Sequence, residues 1–266
     1  MSILEFSKYN STGNDFILIN STEAVGINAS YVRSLCHRQW GIGADGLIVV
    51  TQLGESSVRM QYFNADGNEV EMCGNGLRAT AMFAQEKLKI NPSNHQMKIH
   101  SKNSEYLVEI NPLFGIKIEM SEIGKVNEID VSKYNAHFLR VGVPHVVLEK
   151  STLDDFPIDL ALEVRHDPIF KEGTNINFFH ELSPGQIRVR TFERGVEAET
   201  LSCGTGVTAC GYLYLQNKTD LNEVSVQTEG GTLVVQRQAE KVYLLGPSFC
   251  VFDGHLSSHY LPRENE

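Results

Sequence analysis

Basic residues are in short supply. The 266-residue chain carries 23 Lys and Arg against 33 Asp and Glu, a formal net charge of −10. Gripping a phosphate backbone takes a basic face, so no nucleic-acid partner is expected. Long apolar runs are also missing, and nothing approaches the roughly 18–20 residues that a membrane-spanning helix requires. The opening Met1-Ser-Ile-Leu-Glu-Phe-Ser-Lys8 lacks the charged-then-apolar layout of a secretory leader. No membrane association is expected, and a cytoplasmic location is. Cysteine is sparse: positions 36, 73, 203, 210 and 250 make an odd count with no CxxC pair, which argues against a disulfide framework. The histidines do not join these cysteines at zinc-ligand spacing, so no metal is expected. What remains, 41% hydrophobic and 21% charged residues, suits a chain with a sizeable core in one large domain or two ordinary ones.

Against that background one stretch is written twice. Phe63-Asn-Ala-Asp-Gly67 reads as a strand end and turn, and ten residues after Phe63 comes Cys73-Gly-Asn-Gly76 at the mouth of a helix. Phe192-Glu-Arg-Gly195 is followed, eleven residues after Phe192, by Cys203-Gly-Thr-Gly206. The copies differ by one inserted residue.

The surrounding chain repeats the same plan. Apolar or alternating runs predict strands over 5–10, 16–20, 47–51, 58–64, 96–100, 106–110 and 116–120. A helix is predicted over 29–38 with a cap near Ser30, and another over 75–88 that is apolar almost all round. In the second half, strands are predicted over 138–143 and 145–149, split around Pro144, and over 175–179, 186–192, 224–228, 232–237 and 241–245. The mostly apolar helix there spans 206–216. Gly41-Ile-Gly-Ala-Asp-Gly46 leads into a strand rather than a helix, so it is not the dinucleotide fingerprint. With no parallel βαβ succession evident, the expected class is α+β in two pseudo-symmetric halves, each with antiparallel strands around one enclosed helix. The expected domains are 1–119 with a returning segment 245–266, carrying Cys73, and 120–244, carrying Cys203.

A helix N-terminus presents unpaired N–H groups and partial positive charge. A cysteine there can ionise near neutral pH, and neighbouring glycines leave the N–H groups open to a carboxylate. Two such cysteines suit proton removal from an α-carbon on one face and proton delivery on the other. Helix N-termini aimed at the substrate carboxylate would steady the carbanion, so no cofactor is expected. Cys36, Cys210 and Cys250 sit within apolar or strand patterns and read as core.

The blocks Gly13-Asn-Asp-Phe16, Gly41–Gly46, Phe63–Gly67, Cys73–Gly76, Pro144-His145, Glu193-Arg-Gly195, Glu199-Thr200 and Cys203–Gly206 together resemble the diaminopimelate epimerase family across essentially the whole chain. The resemblance implies a sheet in each half wrapped barrel-like around its helix, and a cofactor-independent epimerase of lysine and peptidoglycan precursor synthesis acting as a homodimer on a small amino acid. It implies Cys73 and Cys203 as the acid–base pair, and Gly74, Asn75, Gly204 and Thr205 around the reacting carboxylate and amine. Asn14, Asn64 and Asn175 match substrate-contacting asparagines. Glu193 and Arg194 match the pair that binds the distal amino and carboxylate groups, and His145 and Glu193 match residues that adjust the thiols. Val143 replaces the usual asparagine before Pro-His, which keeps open a racemase or epimerase of another amino acid on the same fold.

Overall fold

A computed structural model describes residues 4–24, 26–70, 73–111, 115–120 and 122–257. The chain divides into two compact units, Met1–Ile118 with Pro247–Glu266, and Glu119–Gly246.

The first unit opens with the hairpin β1 (Glu5–Ser11) and β2 (Asn14–Asn20). Helix α1 (Ala29–Cys36) then carries the chain across to β3 (Gly46–Gly54), parallel to β2. Strand β4 (Ser57–Asn64) returns antiparallel and pairs with the short β5 (Glu69–Val70). After helix α2 (Gly74–Glu86), β6 (Gln96–Ser101) lies parallel to β4, and β7 (Ser104–Asn111) and β8 (Gly115–Glu119) follow antiparallel.

The second unit repeats this element by element. Its hairpin is β9 (His137–Val141) and β10 (Val143–Glu149), and helix α3 (Ile158–Arg165) leads to β11 (Asn175–Ser183), parallel to β10. Strands β12 (Gln186–Glu193) and β13 (Ala198–Thr200) precede helix α4 (Gly204–Asn217). Then β14 (Glu223–Thr228) lies parallel to β12, with β15 (Gly231–Gln238) and β16 (Lys241–Gly246) antiparallel beyond it. The last strand, β17 (Phe249–His255), pairs with β1 of the first unit. Residues 258–266 of the expected returning segment lie outside the described residues.

The central sheet of each unit is covered on both faces, which is why its strands read as continuous apolar runs. Ile17, Ile19, Leu47 and Val49 pack with Val32 and Leu35 of α1, and α2 packs against β1, β2, β3, β4, β6 and β17. In the second unit Val146, Leu148, Ile176, Phe178 and Phe192 pack with Ala161 and Val164 of α3, while α4 is surrounded by β9–β12 and β14–β16. Each buried Val, Leu, Ile or Phe contributes about 1.5–3 kcal/mol relative to exposure, so both central helices are held by packing rather than by propensity. The architecture is α+β, with a sheet around one enclosed helix in each unit.

Four local expectations are corrected. Parallel crossovers are present: β2–α1–β3 and β10–α3–β11 are βαβ units, and β4/β6 and β12/β14 are also parallel. Pro144 does not split a strand but sits inside β10 opposite Arg140; the turn is at Gly142, whose φ of 71° needs a residue without Cβ. Helix α1 is capped by Asn28, whose Oδ1 accepts from the Tyr31 N–H at 3.0 Å, not by Ser30. Helix α3 is an element the apolar pattern did not mark.

Candidate active site

Cys73 is the N-cap of α2, with extended backbone (φ −143°, ψ 115°) and a side chain that caps nothing. No acidic residue occupies the first turn, so the helix N–H groups keep their attraction for an anion. The thiol donates to Asn14 Oδ1 at 3.7 Å, and Asn75 Nδ2 donates to the same oxygen at 3.2 Å. Asn14 in turn donates to Asp45. Asp45 belongs to an ionic cluster in which Arg38 grips both Asp15 and Asp45, and Lys8 pairs with Asp15 at 2.8 Å. Burial pushes the Asp15 carboxyl up, but hydrogen bonds from Arg38 and Lys8 outweigh it and hold the group well below the usual carboxylate range. The cluster fixes the start of β2 and with it Asn14.

One turn into α2 lies Arg78, fully buried. Its Nη2 donates to Thr12 Oγ1 and Asn75 Oδ1, both at 2.9 Å, and its Nε to the Pro247 carbonyl at 3.4 Å. Burial pushes this guanidinium down to about 10, which leaves it charged at neutral pH and coupled to the charge on Cys73. A fixed cation of this kind favours a thiolate. Gly74 opens the helix with free space where a Cβ would be.

Cys203 is the N-cap of α4, again extended (φ −117°, ψ 108°), again without a side-chain cap or an acidic first turn. Its sulfur lies 3.5 Å from Thr205 Oγ1. Thr208, in the place that Arg78 holds in α2, is buried and donates to the Gly204 carbonyl at 2.8 Å.

Strand register makes the two settings comparable. Phe16 pairs with Gly46, and Ile48 with Tyr62; His145 pairs with Asn175, and Asn177 with Thr191. Beneath α2 therefore lie Phe16, Ile48 and Tyr62, an apolar trio in which the Phe16 and Tyr62 rings meet edge-on at 5.7 Å. Beneath α4 the same places hold His145, Asn177 and Thr191, all buried. Asn177 Nδ2 donates to the Val146 carbonyl at 3.1 Å and lies 3.1 Å from His145 Nδ1, while Thr191 Oγ1 donates to Asn177 Oδ1 at 3.1 Å. Burial pushes the His145 imidazole down to about 3, with the Arg194 charge acting in the same direction.

The turn after β12 carries the charged candidates. Glu193 accepts from Thr200 Oγ1 at 3.0 Å, and burial pushes its carboxyl up against that hydrogen bond. Arg194 Nη1 donates to the Glu172 carbonyl. Asn175 braces this turn: its Oδ1 accepts from the Arg194 N–H at 2.9 Å and its Nδ2 donates to the Pro144 carbonyl at 3.1 Å. By register Asn175 and Glu193 occupy the places of Gly46 and Asn64, so the halves differ most at the strand ends before the cysteines. Asn64 closes β4, its N–H donating to the Asn68 carbonyl.

Sequence reasoning missed Arg78, Asn177 and Thr191. The signal for the last two was present: polar residues at alternate positions of strands whose other inward places are apolar. Of the remaining thiols, Cys36 is buried with its pKa pushed up to about 12, and Cys210 is fully buried and pushed far up. Cys250 departs from the core expectation, since it is half-buried on β17, its thiol donating to Asp253 at 3.6 Å. Among the described residues, no three His, Cys, Asp or Glu side chains are grouped to hold a metal ion.

Comparison with known proteins places the chain in a family. A diaminopimelate epimerase from Archaeoglobus fulgidus is 36% identical over 270 residues, covering 95% of this chain and 96% of its own. One from Flavobacterium psychrophilum is 36% identical over 264 residues, covering 94% and 99%. In fold, the chain is similar to a Bacillus anthracis phenazine biosynthesis protein of the PhzF family (TM-score 0.70, 16% identity, 97% of this chain and 100% of that one). A probable proline racemase from Agrobacterium radiobacter shares the fold at TM-score 0.64 and 12% identity, covering 97% and 93%. The family description that matches residues 6–126 and 138–251 is diaminopimelate epimerase. Those two spans take in both cysteine-led helices and the strands that seat them, and on that ground the chain belongs to the diaminopimelate epimerase family.

Proposed function

We propose that this chain interconverts L,L- and meso-diaminopimelate by proton transfer at the α-carbon, with Cys73 and Cys203 as the two bases. The observation that carries the reading is the pair of cysteine N-caps on α2 and α4, neither helix having a side-chain cap or first-turn acid. A thiolate takes the α-proton, leaving the bonding pair on the α-carbon, and the other thiol gives its proton to the opposite face. After one turnover the protonated and ionised sulfurs have exchanged places. The N–H groups at Gly74, Asn75, Gly204 and Thr205 receive the reacting carboxylate and steady the carbanion's charge. Asn14, Asn64 and Asn175 orient the substrate, and Glu193 with Arg194 takes its distal amino and carboxylate groups, a carboxylate being the natural partner of a guanidinium fork. His145 and Glu193 adjust the thiols.

A reducing, cytoplasmic setting fits an enzyme that needs two free thiols. A homodimer is supported by β17, where Phe249 and Val251 are each 53% exposed beside β1, apolar surface that a second copy would cover.

Purified, reduced protein incubated with the L,L isomer in deuterated water tests the reading. The expected product is the meso form with α-deuterium, its rate cut about 10²–10⁴-fold by Cys73→Ser or Cys203→Ser. Absence of α-exchange by the reduced wild type overturns it.

A further inference from the structure

The polar trio beneath α4 fixes more than packing. The Val146 carbonyl can only accept a hydrogen bond, so the Asn177 atom facing it is Nδ2, and Oδ1 is left for the Thr191 hydroxyl. Nδ2 has two hydrogens. With one on the Val146 carbonyl, the other faces His145 Nδ1 at 3.1 Å. A nitrogen that accepts is unprotonated, and in a neutral imidazole the proton is then on the other nitrogen. His145 Nε2 is fully buried and has no hydrogen-bond partner among the described residues, so it is a donor held in reserve rather than one spent on the fold.

We propose that Asn177, anchored by Val146 and Thr191, is a positioning residue that locks His145 in the Nε2–H tautomer, so that His145 enters the reaction as a neutral hydrogen-bond donor and not as a base. The side chains in place support this. Asn177 Oδ1 stands where a Cβ on Gly206 would be, at 2.1 Å, so the first turn of α4 presses the amide into its seat. Burial keeps the ring neutral, its pKa being pushed down to about 3. The first unit has Phe16, Ile48 and Tyr62 at the equivalent places and can build no such device.

The test is long-range proton–nitrogen correlation NMR on the full chain labelled with nitrogen-15 histidine, with His145 assigned by the signals lost in His145→Gln. The expected spectrum at neutral pH has an unprotonated Nδ1 and a protonated Nε2. An Nδ1–H or doubly protonated ring overturns the proposal. Asn177→Asp replaces the donor with a carboxylate that accepts from Nδ1–H, and it should switch the tautomer. Because the consequence for turnover rests on the epimerase reading, kcat is measured beside the spectrum, and a fall of about 100-fold is expected, in the range of a displaced acid–base contact. An unswitched tautomer in a folded Asn177→Asp protein overturns the positioning role. Should that variant not fold, the wild-type spectrum still decides the tautomer. An Nε2–H ring in a protein that exchanges no α-proton supports this assignment while sinking the epimerase reading.

Discussion

Gly76 and Gly206 occupy the same place in the two Cys-Gly-X-Gly turns, yet replacing them with alanine should have very different consequences. In a helix, alanine is favoured over glycine by about 1 kcal/mol. At Gly76 the new methyl would meet Ile48 Cδ1 at 3.3 Å, a chain end that can rotate aside, so Gly76→Ala should be within about 1 kcal/mol of neutral. At Gly206 it would meet Asn177 Oδ1 at 2.1 Å and Thr191 Oγ1 at 3.2 Å. The amide must retreat by about 1 Å to reach ordinary contact distance, which breaks or stretches its hydrogen bonds to Thr191, Val146 and His145. At about 1–1.5 kcal/mol for each of the three bonds and with the helix gain subtracted, the net loss is about 2–3.5 kcal/mol. The assay is urea unfolding, with midpoints compared at unchanged slope. Because the obstruction is one side chain, Gly206→Ala on top of Asn177→Ala should keep only the helix gain, giving a coupling of about 3–4.5 kcal/mol in a double-mutant cycle. Equal costs at Gly76 and Gly206, or additive costs in the cycle, would refute the reasoning.

The buried imidazole and the half-buried fork give two more tests. The folded pKa of His145 is about 3, below the unfolded value of about 6.5, so the unfolded chain takes up the proton first as pH falls. Its stabilising effect is complete above pH ~6.5 and drains away between there and ~3. From pH 7.5 to 5.0 the wild type should lose about 2 kcal/mol more in urea unfolding than His145→Gln, at 1.36 kcal/mol per pH unit, and equal losses would count against it. Arg194→Ala should lower kcat/KM on diaminopimelate about 10–100-fold through the lost carboxylate contact. If the best substrate in an amino-acid panel is indifferent to the change, the reading shifts to a racemase of a monocarboxylic amino acid.

What the sequence made legible was whatever is local or repeated. Two Cys-Gly-X-Gly turns mark helix starts by their own chemistry, and apolar runs such as Phe16–Ile19 and Leu47–Val50 mark strands buried on both faces. Partner choice is not local: nothing within β2 or β3 says that they lie parallel, which is why both βαβ crossovers went unseen. Helix α3 has eight residues and enters through Pro157 with no side-chain cap, so it lacks the start signal that Asn28 supplies to α1. Pro144 misled because a proline can occupy a strand position where its missing N–H is not needed. Arg78 was hidden by its own type, since arginine is almost never fully buried unless paired; its partners Thr12 and Pro247 are distant in the chain, and only Asn75, three residues before it, is a local hint.

The duplication also explains why the halves are not interchangeable. Each unit carries a polar insertion at the seam between its cysteine-led helix and the sheet. The first unit spends it on the helix side, with Arg78 fully buried and charged above an apolar Phe16, Ile48 and Tyr62. The second spends it on the sheet side, with His145, Asn177 and Thr191 beneath a helix whose matching residue is the neutral Thr208. One sulfur therefore stands near a buried cation, and the other caps a helix seated on a neutral polar network. Two identical thiols would treat the two hands of a stereocentre alike only if the substrate were symmetric beyond it. Under the proposed epimerase reading, with a substrate held at one distal end by Glu193 and Arg194, the two proton transfers would be unequal tasks, and an unequal pair of thiol environments would bring their barriers level.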